Sequence, residues 1–280
     1  MLALLKRNFL LYFRNRSGVF FSLLGALISF ILYIIFLQKN LTDAWAQLPN
    51  SGPVLNNWLM SGTLAVTGIT TSLAALTQLV KDREHQVDQD LYLSDQGKWR
   101  LPFSYLTSAI IISFFMQALM YVLMCGYFRE VPTLSLLPEV LLIMLLSSLL
   151  SSLVNAIFVY FFHSVDSLGK FSTIVGTASG FLVGTYVPLG VLPDFAQLLM
   201  KCTPATYIAS LYRQVLMKEA LSETFKGQDN LLQEFQEKMG VQLKWQALLT
   251  KEQTYLIVLG GILLALGIWV SLAKRSNKRK

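Results

Sequence analysis

The chain has 280 residues, 54% hydrophobic and 14% charged, with a mean hydropathy of +0.53. Soluble domains carry about 25% charged residues, so an ordinary water-soluble domain is excluded and the long uncharged runs read as membrane spans. The net charge of +7 could suit nucleic acid, but Lys6, Arg7, Arg14 and Arg16, and again Lys274, Arg275, Lys278, Arg279 and Lys280, flank apolar runs, which points to anchoring on anionic membrane lipid and to no nucleic-acid partner.

Residues 1–16 read as an interfacial amphipathic helix. Leu2, Leu5, Phe9, Tyr12 and Phe13 share one side of a helical wheel and Arg7, Asn8, Arg14 and Asn15 the other, although Leu4 and Leu11 interrupt the polar side. Six spans follow, at 18–37, 58–80, 105–127, 137–162, 171–192 and 255–273, each with about 20 residues or more. Lipid offers the backbone no partners, so each run must close its own hydrogen bonds as a helix. The expected fold is an all-α membrane protein, one transmembrane domain over 1–280. The first run is longer than the 7–15 residues usual for a signal peptide, so it is read as a retained span despite the small-x-small sequence Ala44-Trp45-Ala46.

Lys and Arg placement orients the chain. Lys81, Arg83, Lys98, Arg100 and Lys170 fall on the side of both termini, whereas the two short opposite loops supply only Lys39 and Arg129. Both termini are therefore expected in the cytoplasm of a multi-pass protein of the cell membrane. Cys125 and Cys202 are too few for a disulfide framework or a metal cluster; one bridge between them is geometrically possible, against two unpaired thiols.

The second span carries the hydroxyl series Thr63, Thr67, Thr70 and Thr77, which either lines a passage or packs helix to helix. No ionisable side chain lies in the middle of any span. That argues against a proton- or sodium-coupled carrier and against an intramembrane protease. Residues 81–100 are too polar for lipid, running Lys81-Asp82-Arg83-Glu84-His85 and on through Asp88, Asp90 and Asp95. Val87 and Leu91 share a face at i, i+4, and Gly97 fits a helix stop. This segment either docks a cytoplasmic partner or merely joins two spans. His85 stands alone among carboxylates, a solvated residue rather than a metal ligand.

The phosphate-cradling pattern G-x-x-x-x-G-K-[ST] is absent; Gly169-Lys170 is followed by Phe171, where a magnesium-binding hydroxyl belongs. No cofactor is expected on this chain, and if ATP drives it, the ATPase is another chain. In the fifth span Gly176, Gly180 and Gly184 form a small-xxx-small ladder, for close approach of either a second copy or another span of the same chain. Beyond it, Pro188, Pro193 and Pro204 divide the segment into short pieces. Two short helices at 194–202 and 205–220, an amphipathic stretch through Leu231, Leu232, Phe235 and Met239, and then Trp245, Leu248 and Leu249 make 193–254 a re-entrant hairpin with an outer cap.

The run Val187-Pro188-Leu189-Gly190-Val191-Leu192-Pro193, followed by Thr203-Pro204-Ala205-Thr206-Tyr207, resembles the permease family of type-2 ABC exporters. The order of parts over essentially the whole chain is similar as well. Val187 and Thr203 depart from the family pattern, where an aromatic residue and Asn are usual. The resemblance implies a non-enzymatic permease, paired as a homodimer or pseudo-dimer, bound to separate ATP-binding cassette subunits that hold ATP and Mg. It implies that Arg83, Glu84 and their neighbours His85, Asp88 and Leu91 couple to the ATPase. Thr63, Thr67, Thr70, Gly180 and Gly184 would line the path, and Pro188, Pro193, Pro204 and Tyr207 would form the outer gate. The cargoes it implies are drugs, antimicrobial peptides, lipids, toxins and polysaccharide precursors, and the closed apolar spans suit an amphipathic or lipid-like cargo better than a polar sugar chain. The rival reading is a non-transporting scaffold or receptor whose outer segment binds a partner.

Overall fold

The computed structural model of the protein describes residues 1–45, 51–93, 97–129 and 134–278. Among them every regular element is helical, apart from one isolated antiparallel bridge between Lys244 and Leu248. Helix α1 (Leu2–Arg14) is followed by α2 (Arg16–Leu32), which runs through a π turn (Tyr33–Leu37) into α3 (Gln38–Ala44). Next come α4 (Ser51–Glu84), α5 (Val87–Leu93), α6 (Gly97–Phe128), α7 (Leu137–Val159) and α8 (Val165–Leu182). Four short helices form a cap: α9 (Asp194–Lys201), α10 (Pro204–Leu216), α11 (Lys218–Thr224) and α12 (Asp229–Lys238). The last helix is α13 (Lys251–Lys278).

Five helical stretches are long and apolar enough to cross a membrane: Arg16–Leu41, Gly52–Glu84, Trp99–Phe128, Leu137–Val159 and Lys251–Arg275. They contain four of the expected spans and all but the last three residues of 137–162. The expected span at 171–192 is different. Helix α8 starts earlier, at Val165, and stops at Leu182, because Gly184 turns the chain at φ +69°, a conformation that side chains with a Cβ rarely adopt. With Asp166, Lys170 and a series of hydroxyls along it, α8 is not among these five stretches.

Helix α4 is the axis of the bundle. It packs against α2, α6, α7, α8 and α10, and its 34 residues reach about 51 Å, well beyond a hydrocarbon core of about 30 Å. Around it the interior is apolar but stitched by hydrogen bonds. Gln117 donates to Ser148 Oγ at 2.8 Å and accepts from the Tyr212 hydroxyl at 2.9 Å; Asn155 Nδ2 reaches Ile69 O at 2.9 Å. The opposite faces are bare hydrocarbon: Phe20, Phe21 and Ile35 around α2, Phe115 and Val122 on α6, and Leu256, Leu263 and Leu264 on α13 are all exposed. A membrane solvates such a surface; water does not.

Helix α1, the ends of α4 and α7, the later turns of α13 and the starts of α6 and α8 lie at one end, here the terminal end. The other is the cap end. There α10 is buried over ten of its thirteen residues, including Arg213, by α4, α7 and α13. Pro204 opens α10 at its first turn and Pro193 caps α9, positions where a missing N–H costs nothing. Cys125 and Cys202 are not joined by a disulfide.

Two local expectations are corrected. Gly97 begins α6 rather than stopping the helix before it; Asp95 lies outside the described residues. The first part of the polar side of α1 faces protein, with Leu4 and Asn8 buried, whereas Arg14 and Asn15 are exposed, as are Phe9, Leu10 and Phe13. Leu4 does not interrupt a water-facing surface. It packs with Leu73, Leu76, Val80 and Leu101.

Candidate functional site

At the terminal end, three consecutive residues of α4 each hold a different element. Asp82 binds α1: Arg7 Nη1 and Nη2 donate to its two oxygens at 2.7 and 2.8 Å, and Gln78 Nε2 and the Tyr105 hydroxyl also donate to it. The hydrogen bonds that it donates to Asp82 hold the Arg7 guanidinium above its usual pKa. Asn8 Nδ2 reaches Ser108 Oγ at 3.3 Å, a second tie from α1 to α6. Arg83 Nη1 donates to the carbonyls of Tyr160 and Phe162 at 3.3 and 3.0 Å, satisfying the open end of α7. Glu84 Oε2 accepts from Val165 N at 2.9 Å, at the start of α8.

Arg83 and Glu84, predicted to face a partner, are thus engaged within the chain, although Glu84 remains solvent-exposed. The turn beyond them, with Gln86 at φ +61°, leads into α5. There Asp88 is buried, Leu91 packs on the core, and His85, Gln89 and Asp90 are exposed.

Along the bundle, α2, α4 and α8 enclose an open groove of about 390 Å³. Its walls are apolar at Phe21, Leu24, Ile28 and Leu73, and hydroxylated at Thr70 and Thr173. None of its described lining residues is ionisable. Thr70 Oγ1 donates to Val66 O at 3.2 Å and Thr173 Oγ1 to Gly169 O at 3.1 Å, so the protons are spent on the helices and the lone pairs remain to accept.

Of the predicted lining set, only Thr70 reaches this groove. Thr63 and Thr67 are fully buried among the chain's own helices. The glycine ladder is not one straight groove either. Gly176 meets α2, its carbonyl oxygen 3.1 Å from where a Cβ on Gly25 would lie. Gly180 is covered by the ring of Tyr186 from the same chain, and Gly184 is outside the helix. Of the predicted gate residues, Pro188 is buried beneath the cap and Tyr207 Oη donates to Lys201 O at 2.8 Å while accepting from Trp245 Nε1 at 3.1 Å.

The family model described as ABC-2 family transporter protein matches residues 37–269. The chain belongs to the ABC-2 transporter family. It is a transmembrane subunit of an ABC transporter and a multi-pass membrane protein. No curated protein matches it.

The ABC-2 subunit carries one site that sequence reasoning missed. Arg213 of α10 is 1% exposed, and no carboxylate among the described residues pairs with it. Nη2 donates to Val183 O and Gly184 O at 3.1 and 2.8 Å, Nη1 to Gly240 O at 3.1 Å, and the guanidinium sits 5.1 Å from the ring centre of Trp58. Trp58 Nε1 in turn donates to Met239 O at 2.7 Å. One side chain therefore joins the end of α8, the end of α12 and the upper part of α4. The carbonyls at helix ends supply the negative potential it needs. The available signal was a lone cation inside the apolar run of α10.

Proposed function

We propose that this ABC-2 subunit forms the translocation path of an ATP-driven exporter, with ATP and Mg on a separate ATP-binding cassette subunit and a second permease copy completing the path. The observation that carries the reading is the continuity of α4. Asp82, Arg83 and Glu84 grip α1, α7 and α8 at one end of the helix, and Thr70 and Thr77 line the groove further along it. Glu84 and Thr77 are two turns apart, about 10 Å. A partner that engages the exposed surface at His85, Gln89 and Asp90 acts on a lever that moves the groove walls. A scaffold or receptor would have no use for that linkage.

The terminal end is cytoplasmic in this reading, by the Lys and Arg placement, and the subunit sits in the cell membrane with α9 to α12 as a re-entrant outer cap. The Arg213 clamp then holds the outer gate. An apolar groove with hydroxyl acceptors and no charge suits an amphipathic or lipid-like cargo carrying amine, amide or hydroxyl donors: a drug, antimicrobial peptide, toxin or lipid.

The test is ATP hydrolysis by the purified complex, stimulated by a panel of such amphiphiles. Thr70→Phe, which fills the groove, lowers stimulation at least five-fold and leaves basal hydrolysis intact. Equal stimulation of the wild type and Thr70→Phe contradicts the path assigned here.

A further inference from the structure

Helix α8 has a second cavity on its other side, separate from the α2–α4–α8 groove. It is a slot of about 430 Å³ between α7 and α8. It runs from Phe158 and Phe171, whose rings meet at 5.6 Å, to the turn at Cys202 and Pro204 that starts α10. On α8 it extends from Phe171 to Leu182, about 16 Å at 1.5 Å per residue. A volume of this size stretched over that length is a narrow slot for an elongated molecule, not a chamber. Phe158 and Ile174 at its rim are 47% and 64% exposed, so the slot opens sideways on the bare hydrocarbon surface of the bundle, and α8 separates it from the proposed path.

The lining is apolar at Val154, Ile174 and Ala178, with one strong polar group, Asn155, only 4% exposed. The orientation of the Asn155 amide is fixed, because Nδ2 donates to Ile69 O at 2.9 Å, a carbonyl that can only accept, and to Ser72 Oγ at 2.8 Å. No described residue donates to Asn155 Oδ1, which is the group left for the slot. An amide oxygen open only to a hydrocarbon-lined slot calls for a donor.

The geometry points to a binding site in the α7–α8 slot for a membrane-resident, single-chain amphiphile that places one hydroxyl or amide donor on Asn155 Oδ1 and its chain along Val154, Ile174 and Ala178. A pure hydrocarbon leaves the acceptor unpaired, and a charged group finds no counter-ion among the described lining residues. Because α8 forms a wall of both cavities, the occupant bears on the helix that faces the path.

The experiment is photolabelling of the full chain in its native membranes with a diazirine-bearing hexadecanol and, separately, a diazirine-bearing hexadecane, with adducts mapped by mass spectrometry. Hexadecanol adducts are expected on peptides covering 150–158 and 174–182, at least five-fold above the hexadecane adducts and competed by unlabelled hexadecanol. Ala178→Phe, and independently Val154→Phe from the facing helix, fill the slot and lower those adducts at least five-fold, while adducts at outward-facing Leu263 of α13 stay constant. Equal labelling by the two probes, no competition in the wild-type chain, or adducts that survive both fillings would overturn the site. None of these outcomes depends on ATP hydrolysis, so the slot stands or falls apart from the proposed transport role.

Discussion

Arg7 of α1 and Asp82 of α4, 75 positions apart, meet through two parallel hydrogen bonds of 2.7 and 2.8 Å. Asp82 is nearly closed to solvent, whereas Arg7 is about one-third exposed, so the carboxylate depends on the pair more than the guanidinium does. The helix at the start of the chain is therefore tied to the axis of the bundle, with its exposed apolar side chains turned outward.

The tie gives a first prediction. Arg7→Ala leaves Asp82 with Tyr105 and Gln78 as donors and costs about 1–3 kcal/mol. It should release α1, seen as faster proteolysis within residues 2–14 in detergent. The charge swap Arg7→Asp with Asp82→Arg should recover part of the loss, as coupled residues do in a double-mutant cycle. Additive losses would show that the two side chains act independently.

The Arg213 clamp gives a second. Arg213→Ala orphans three buried carbonyls and leaves a void under Trp58, a loss on the order of 3 kcal/mol or more. Arg213→Lys should be nearly as harmful, since a point ammonium cannot reproduce a fork that binds Val183, Gly184 and Gly240 together. The measurement is the thermal unfolding midpoint of the purified protein; a midpoint for Arg213→Lys equal to that of the wild type would remove the clamp from the account.

Gly180 gives a third. Any Cβ there runs into the Tyr186 ring, so Gly180→Leu should displace Tyr186 and disturb the turn from α8 into the cap. Overpacking of this kind typically costs ~1–3 kcal/mol. Gly180→Leu combined with Tyr186→Ala should restore much of the lost stability and transport. Failure of the rescue would return Gly180 to a contact between copies.

Much of the fold was legible because a span is a local property: a run of about 20 apolar residues declares itself without knowledge of its neighbours. The short helices α9 and α10 were readable for a similar reason, since Pro193 and Pro204 mark their starts. What the sequence concealed was pairing. The wheel for α1 correctly grouped Arg7 with Asn8, but the partner that turns this face inward, Asp82, is on another helix. The glycine ladder failed likewise: spacing of four is compatible with one straight face, yet Gly184 lies beyond the helix end and Tyr186 folds back onto Gly180. Thr63 and Thr67 share a period with Thr70, and only burial distinguishes them. Arg213 was unreadable as a hub because its partners are backbone carbonyls, which carry no residue signature.

The orientation gives a fourth prediction. In a background with Cys125 and Cys202 replaced by Ser, a cysteine at Gln228 in the cap should react with an impermeant thiol reagent on intact cells, and one at Arg275 only after permeabilisation. Labelling of Arg275→Cys from outside would invert the topology.

The proposed function requires an ATPase on another chain, docked at the end where α4 grips α1, α7 and α8. Its most direct test is purification of the tagged chain from its native membranes in mild detergent, with the associated subunits quantified and ATP hydrolysis assayed. An ATP-binding cassette subunit is expected in one-to-one ratio with the permease and ATPase activity in the same peak, with retention of that subunit reduced at least five-fold by Asp90→Lys in the exposed part of α5. A folded permease that purifies with no ATP-hydrolysing subunit, or one whose partner is indifferent to Asp90→Lys, would contradict it.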